Sequence, residues 1–315
     1  MTASPDDENG DRTPATSVSD PPLAPGLYLV ATPIGNLEDI TLRALRVLRS
    51  VDRIACEDTR QTQKLLNHFG IRKPTVSYHL HNEQGRSTEL VEALKSGARL
   101  ALVSDAGTPG IADPGTTLVR EAIEAAVPVF PIPGANAALS ALIASGLDTE
   151  RFTFHGFLPA KEGQRRSVLE NLRTRLRTAP ETDAPGTEVF YETPHRILGA
   201  LADLVAVFGP GQPLVLAREI TKLHEEFLRG TAADLLSTLE SRPVVRGEMV
   251  LMLQGDPTFP ADAEPNILPA LSEAVKQLMQ SGLAEKDALK QVARQRGIGK
   301  SDAYREWQRS RSGKR

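Results

Sequence analysis

The chain has 315 residues, of which 40% are hydrophobic and 24% charged, and a formal net charge of −3. These values are typical of a globular protein with about two domains. Aromatic residues make up only 4%, which argues against recognition dominated by stacked bases. The single cysteine, Cys56, excludes an intramolecular disulfide and fits a reducing compartment. With no bilayer-spanning apolar run and no secretory pattern, we expect a cytoplasmic protein without a membrane segment.

Residues 1–24 carry five acidic residues against one arginine, among Pro, Ser and Thr, and we expect this segment to be disordered. Across residues 25–151, short apolar runs alternate with amphipathic helical patterns. This alternation predicts an α/β domain whose mostly parallel sheet is covered by helices on both faces. Runs of strand type occupy Leu27–Ala31, Arg53–Cys56, Thr75–Tyr78, Arg99–Val103 and Pro128–Ile132, and a small-residue helix spans Ala135–Ser145.

Residues 152–255 have fewer strand–helix–strand repeats, which predicts a smaller α+β domain with a mixed sheet. Its first helix is basic and amphipathic. We expect Val168, Leu169, Leu172 and Leu176 to face inward, and Arg165, Arg166, Arg173 and Arg177 to face outward. Strands are predicted at Thr187–Tyr191, Pro213–Ala217, Glu225–Arg229 and Glu248–Leu253, with helices at Arg196–Phe208 and Ala232–Ser241.

Residues 256–315 are predicted to form a linker and a small, basic helical segment. Two helices, Leu268–Ser281 and Glu285–Arg296, precede a third helical pattern at Ser301–Gln308, an arrangement of helix-turn-helix type. From Lys290 onward, nine Lys or Arg residues face only two acidic residues. Such a basic end is either a solvated tail or a surface for a polyanion.

The stretch Ser104–Gly115 follows a strong strand and contains three glycines and two prolines, which allow a ligand to approach the backbone closely. Similar loops follow two other predicted strands, at Thr32–Asn36 and Pro131–Ala138. Loops after successive parallel strands share one edge of the sheet, so the three can line one ligand site. Because they contain no Lys or Arg, they suit a zwitterionic, partly apolar cofactor better than a phosphate.

No phosphate-binding or dinucleotide-binding glycine motif follows a strand, and no residue spacing indicates a metal site. Charged residues follow three other predicted strands, at Glu57–Arg60, Tyr191–Arg196 and Arg218–Lys222. They are candidates for proton transfer or ribose contact. Helix capping by Asp58 and surface ion pairing are the competing interpretations.

Five motifs occur in order: Thr-Pro-Ile-Gly-Asn-Leu, Ala-Cys-Glu-Asp-Thr-Arg, Ser-Asp-Ala-Gly-Thr-Pro-Gly-Ile-Ala-Asp-Pro-Gly, Tyr-Glu-Thr-Pro-His-Arg and Arg-Glu-Ile-Thr-Lys. This set closely resembles the ribosomal RNA small subunit methyltransferase I family, within the tetrapyrrole methylase superfamily. The resemblance covers roughly residues 26–255. It favours the RNA branch, because tetrapyrrole-modifying members carry Gly-x-Gly-Pro-Gly-Asp after the first strand, where this chain has Thr-Pro-Ile-Gly-Asn-Leu.

The resemblance implies a two-domain tetrapyrrole-methylase-like fold with S-adenosylmethionine bound in the cleft between the domains, usually in a homodimer. It also implies 2′-O-methylation of a cytidine ribose of 16S ribosomal RNA near the decoding centre, at cytidine 1402. By residue, it assigns cofactor contacts to Pro33, Asp105, Gly107, Thr108, Ile111, Ala112, Ala137, Ala138, Tyr191 and Ile220.

A ribose hydroxyl is a poor nucleophile, so a group that accepts its proton would assist the reaction. The candidates are Glu57, Asp58, Glu192 and Lys222, with the Glu57–Asp58 pair preferred. Arg60, Arg196, Arg165 and Arg166 are candidate contacts to the RNA. Two other functions are open on the residues alone: a tetrapyrrole or other small-molecule methylase, and a non-catalytic regulator that binds nucleic acid through the terminal helices.

Overall fold

The computed structural model describes residues 22–178, 186–254, 271–295, 303–305 and 307–308. Its contacts divide the chain into two compact units. Unit 1 contains the chain up to Thr32 and Glu38–Gly134, and unit 2 contains Pro33–Leu37 and the chain from Ala135. The acidic segment, up to residue 21, and the linker at 255–265 lie outside the described residues.

Unit 1 is built on a five-stranded sheet in which every strand is parallel to its neighbours, in the order β3-β2-β4-β1-β5. Successive residues of β1 contribute to different clusters: Tyr28 and Val30 to one, Leu27 to the other. The predicted sheet with two covered faces is therefore confirmed. The elements are β1 (Gly26–Val30), α1 (Leu42–Ser50), β2 (Arg53–Cys56), α2 (Thr59–His68), β3 (Thr75–Ser77), α3 (Glu83–Lys95), β4 (Arg99–Val103), α4 (Thr116–Glu124) and β5 (Val129–Ile132).

Unit 2 contains a mixed five-stranded sheet in the order β6-β7-β10-β8-β9, with only the β6–β7 pair parallel. The mixed sheet was predicted, but strand β6 was missed. The elements are α5 (Ala137–Ser145), β6 (Phe152–Phe157), α6 (Glu162–Thr178), β7 (Thr187–Glu192), α7 (Ile197–Phe208), β8 (Pro213–Arg218), β9 (Glu226–Thr231), α8 (Ala232–Glu240), β10 (Met249–Gln254), α9 (Leu271–Gln280) and α10 (Glu285–Gln295).

Helix α5 packs on the sheet of unit 2, although the sequence pattern predicts it within the domain of residues 25–151. Its buried side chains, Ala138, Ala141 and Leu142, lie in one cluster with Val189 of β7 and Val250 of β10. Small side chains on this helix allow it to approach the sheet closely. The opposite face of the sheet carries a larger cluster formed with α6, α7 and α8.

The orientation predicted for α6 is wrong at two positions. Arg165 is buried, whereas Val168 is 38% exposed. The buried stripe runs through Arg165, Leu169, Leu172 and Leu176, a regular helical spacing. Arg165 is accommodated because its Nε donates to Oδ2 of Asp203 on α7 at 2.7 Å.

The terminal helices α9 and α10 form a small cluster of their own. It includes Val275, Leu289, Val292 and Trp307. The Trp307 indole donates to Glu285 Oε1 at 3.1 Å, which ties the third helical pattern to α10. None of the helices in the described part of the chain has the length and apolar character needed to span a membrane.

Candidate functional site

The loops after β1, β4 and β5 meet at one edge of the sheet of unit 1. Thr32 and Gly107 exchange two backbone hydrogen bonds of 2.8 and 3.1 Å. The Thr32 hydroxyl also donates to the Ser104 carbonyl at 3.2 Å. A Cβ added to Gly134 would lie 2.9 Å from the Ala31 Cβ, so the third loop closes directly on the first. The structure thus brings together the parts of the three predicted loops that belong to unit 1.

The central loop, Ser104–Gly115, is held in a conformation that most residues avoid. Ala112 has φ = 61° although it carries a side chain, and such strain persists only where the surroundings impose it. Gly115 has φ = 145°, and a Cβ there would lie 2.9 Å from Leu102 Cδ2. The loop therefore has a defined shape, and exposes Asp105 and Ile111 to solvent.

The end of this loop is fixed by Tyr78 and Glu83, which are not among the predicted site residues. Glu83 Oε1 accepts hydrogen bonds from the amides of Gly115 at 3.2 Å and Thr117 at 3.4 Å. The Tyr78 hydroxyl donates to Glu83 at 3.0 Å and accepts from the Leu118 amide at 3.2 Å. Burial, reinforced by Glu83, raises the pKa of Tyr78 to about 12. This network satisfies the free amides at the start of α4, which has no side-chain cap of its own.

Glu57 and Asp58, at the end of β2, have different environments. Asp58 accepts a hydrogen bond from the Arg60 amide at 2.8 Å and pairs with the Arg60 guanidinium at 3.1 Å. These contacts hold the pKa of Asp58 below its usual value, so the helix-cap interpretation holds for this residue. Burial raises the pKa of Glu57, and the nearby charge of Asp105 adds to the rise. Glu57 is therefore the better proton acceptor of the pair.

Asp113 is a third acidic side chain at this edge, present in the central motif but not among the predicted site residues. Burial and the charges of Glu57 and Asp105 raise its pKa to about 6, while a hydrogen bond with the Ser104 side chain acts in the opposite direction. A carboxylate with this pKa is suited to proton transfer near neutral pH. Its position in the motif was visible in the sequence, but its partial burial was not.

In unit 2, the predicted cofactor contacts Ala137, Ala138, Tyr191 and Ile220 belong to one cluster, together with Ile34. The Tyr191 hydroxyl accepts a hydrogen bond from the Ala138 amide at 3.3 Å. This bond satisfies one of the first amides of α5. The structure therefore brings these predicted residues together around the start of α5.

Lys222 is held as a charged residue. Its Nζ donates to Glu219 Oε1 at 2.8 Å and to Glu248 Oε2 at 2.9 Å. Burial by itself would lower the pKa of Lys222, but the two carboxylates outweigh it and raise the pKa. Lys222 is consequently unsuited to accept a proton, contrary to its predicted candidacy. Its side chain instead lies over Gly35, where an added Cβ would be 2.3 Å from Lys222 Cγ.

Glu192 is also unsuited to its predicted role, because its side chain is fully buried. Its Oε1 accepts from the Thr193 amide at 2.9 Å and pairs with Arg196 Nε at 3.2 Å. Burial raises the pKa of Glu192, against the opposing influence of Thr193 and Arg196. Arg196 donates in addition to the Leu158 carbonyl, so it anchors the turn after β6.

The arginines predicted to bind RNA differ in their availability. The prediction that Arg165 contacts RNA is wrong, because its side chain is buried against Asp203 and cannot contact a polyanion. The Arg60 and Arg166 side chains are 88% and 47% exposed, although each has an acidic partner. Among the residues that the structure describes, no group of three or more His, Cys, Asp or Glu is placed to hold a metal ion.

Solved structures of other proteins share the fold of this chain. A diphthine synthase structure superposes with a TM-score of 0.55 at 18% identity, covering 73% of this chain and 89% of that one. A conserved hypothetical protein of Aeropyrum pernix K1 gives a TM-score of 0.57 at 20% identity, covering 82% and 98%. At these identities the likeness concerns the fold alone.

Sequence comparison is more specific. The family model of Tetrapyrrole (Corrin/Porphyrin) Methylases matches residues 26–236. The ribosomal RNA small subunit methyltransferase I of Halalkalibacterium halodurans is 47% identical over 280 residues, covering 88% of this chain and 93% of the relative. That of Escherichia coli O157:H7 is 44% identical, covering 89% and 93%. The chain therefore belongs to the tetrapyrrole methylase family and, within it, to the ribosomal RNA small subunit methyltransferases I.

Proposed function

We propose that this chain methylates the 2′-oxygen of a cytidine ribose in 16S ribosomal RNA, with S-adenosylmethionine as methyl donor. The observation that carries the proposal is the 41–47% identity to relatives named ribosomal RNA small subunit methyltransferase I, extending over most of the chain. A second observation supports the proposal. At one edge of the sheet of unit 1, loops of small residues meet beside acidic side chains.

The residues at this edge fit such a methyl donor. The mutual backbone bonds of Thr32 and Gly107 hold the first and central loops together, Gly134 is exposed and has no side chain, and the exposed carboxylate of Asp105 suits a cationic group. Neither the central loop nor the first loop contains Lys or Arg, which a phosphate ligand would favour. In our proposal the predicted contacts Thr108, Ile111 and Ala112 complete this binding surface, and Pro33 and the residues around the start of α5 remain predicted cofactor contacts of unit 2.

Bound S-adenosylmethionine would supply an activated methyl group on sulfur. The protein's own part is to hold the ribose in line and to take the proton from its 2′-hydroxyl. We assign the role of proton acceptor to Glu57 and a supporting role to Asp113, because both carboxylates have raised pKa values. We assign Asp105 to cofactor binding, whereas Asp58 caps helix α2.

In our proposal the RNA contacts Arg60, Arg166 and the basic carboxyl-terminal segment. The protein is also proposed to act in the cytoplasm as a homodimer. Phosphate contacts of this kind make binding weaken as salt increases. Arg196, with its side chain committed to Glu192 and Leu158, is given a structural role.

The test is methyl transfer from labelled S-adenosylmethionine to isolated small ribosomal subunits, to free 16S RNA and to a porphyrinogen. Incorporation at a cytidine 2′-oxygen supports the proposal, whereas exclusive methylation of the porphyrinogen, or no incorporation at all, refutes it. Glu57→Gln should lower kcat at least about 100-fold with cofactor affinity preserved, within the usual range for a general base. Asp58→Asn is the matched control, and an equal loss in both variants would remove the assignment to Glu57.

A further inference from the structure

Strand β6 concentrates aromatic side chains in a chain that has few of them. Three of the nine phenylalanines, Phe152, Phe154 and Phe157, lie in its six residues. Among the strands that the structure describes, β6 is at the edge of the sheet and pairs with β7 alone. Its register shifts between Phe154 and Phe157, where Gly156 has φ = 67°. This is a bulge, a feature that redirects side chains and often lies beside active sites.

The bulge changes the direction of Phe157. In a regular strand, residues three apart point to opposite faces. Here Phe154 and Phe157 both contact Tyr191, with ring centroids 4.8 and 5.6 Å away. Phe154 is partly buried among the neighbouring apolar residues, whereas Phe157 remains 49% exposed. The bulge therefore presents one aromatic ring to solvent beside a residue proposed to contact the cofactor.

The backbone that follows holds Phe157 in place. Leu158 is buried at 2% exposure, and its carbonyl accepts a hydrogen bond from Arg196. Arg196 is in turn paired with the buried Glu192. Lys161, on the same short turn, is exposed. A fixed aromatic surface with an exposed cation nearby is the combination that binds single-stranded nucleic acid.

We propose that the exposed ring of Phe157 stacks on a base of the RNA substrate, at or next to the methylated nucleotide, with Lys161 close to its phosphate. The proposal rests on the proposed function and adds the contact that orients the nucleotide. Unstacked bases of RNA are commonly held on aromatic side chains, and every base has a face that can stack. Methylation of a ribose hydroxyl requires such a nucleotide to be held still.

The test compares Phe157→Ala, Phe157→Trp and Phe157→Leu with Phe152→Ala as the matched control, since Phe152 is 43% exposed on the same strand. We measure KM for the RNA substrate, the Kd for S-adenosylmethionine, and the sedimentation coefficient. Phe157→Ala is expected to raise KM about 5- to 150-fold, the usual effect of removing one stacking contact. Phe157→Trp should restore KM, Phe157→Leu should not, and Phe152→Ala should leave it unchanged.

Three results would overturn the stacking proposal. An unchanged KM in Phe157→Ala removes the contact. Restoration of KM by Phe157→Leu shows a packing role without stacking. A changed sedimentation coefficient or a weakened Kd for the cofactor assigns the ring to a protein interface or to the cofactor site. A wild-type protein that methylates no RNA would instead refute the proposed function, so the two failures are distinguishable.

Discussion

Replacing Asp113 by Asn should stabilise the protein at neutral pH while it impairs methyl transfer. The ordinary pKa of this carboxyl is 3.8, and the folded protein raises it to about 6. A raised pKa means that the ionised form is less favourable in the folded state than in the unfolded chain. Asn has a similar shape, can still accept a hydrogen bond from the Ser104 side chain, and carries no charge.

The magnitude follows from the shift. At 1.36 kcal/mol per pKa unit, the ionised side chain costs at most about 3 kcal/mol above pH 6. Because Asp113 is only partly buried, solvent screening reduces this to about 1–2 kcal/mol. The cost begins near pH 4, where the unfolded chain ionises, and is complete above pH 6. It should be roughly half developed at pH 5.

Urea unfolding of the wild type and Asp113→Asn at pH 7.5 and pH 5 measures this effect. The variant should be more stable by about 1–2 kcal/mol at pH 7.5, and by about half as much at pH 5. Asp52→Asn is the control of opposite sign, because the hydrogen bonds from Arg99 lower the pKa of Asp52. A destabilised Asp113→Asn at pH 7.5, or a difference independent of pH, would refute the reasoning.

Three further predictions concern packing and hydrogen bonding. Gly35→Ala should lower the free energy of unfolding by about 1–3 kcal/mol, since the new Cβ would lie 2.3 Å from Lys222 Cγ. In urea unfolding this loss should be smaller when Lys222→Ala is already present. Asp203→Ala should lower the free energy of unfolding by about 3–5 kcal/mol because it leaves the buried Arg165 without its charged partner; a loss below about 1 kcal/mol in urea unfolding would contradict this. Tyr78→Phe should lower the free energy of unfolding by about 1–2 kcal/mol and weaken cofactor binding in equilibrium dialysis. Unchanged binding would show that the hydrogen bonds of Tyr78 do not shape the central loop.

The prediction about aromatic residues illustrates how composition and placement differ. A 4% aromatic content indicated that stacked bases do not dominate recognition. It gave no information about Phe157, whose exposure depends on a bulge in a strand that was itself missed. The pattern of β6 is hard to recognise because its apolar and polar residues alternate only over Phe152–His155, before Gly156 interrupts them, and none of its six residues is buried.

The phase of α6 was misassigned for a related reason. Leu169, Leu172 and Leu176 define its buried stripe, and both Arg165 and Val168 are compatible neighbours in sequence. Residue type favoured Val168 over Arg165 as the buried member of this stripe. The buried partner Asp203, 38 residues away, reverses that preference, and such a long-range pair cannot be inferred from helical periodicity.

The sequence by itself determined the parallel sheet of unit 1 and the loops that follow β1, β4 and β5, because continuous apolar runs and glycine-rich turns are local signals. Tertiary structure decided which carboxylate can accept a proton. Glu57 and Asp58 are adjacent in the chain, yet burial raises one pKa and an arginine lowers the other. Arg60, which lowers the pKa of Asp58, is a neighbour in sequence, but the burial and the charge of Asp105 that raise the pKa of Glu57 arise only on folding.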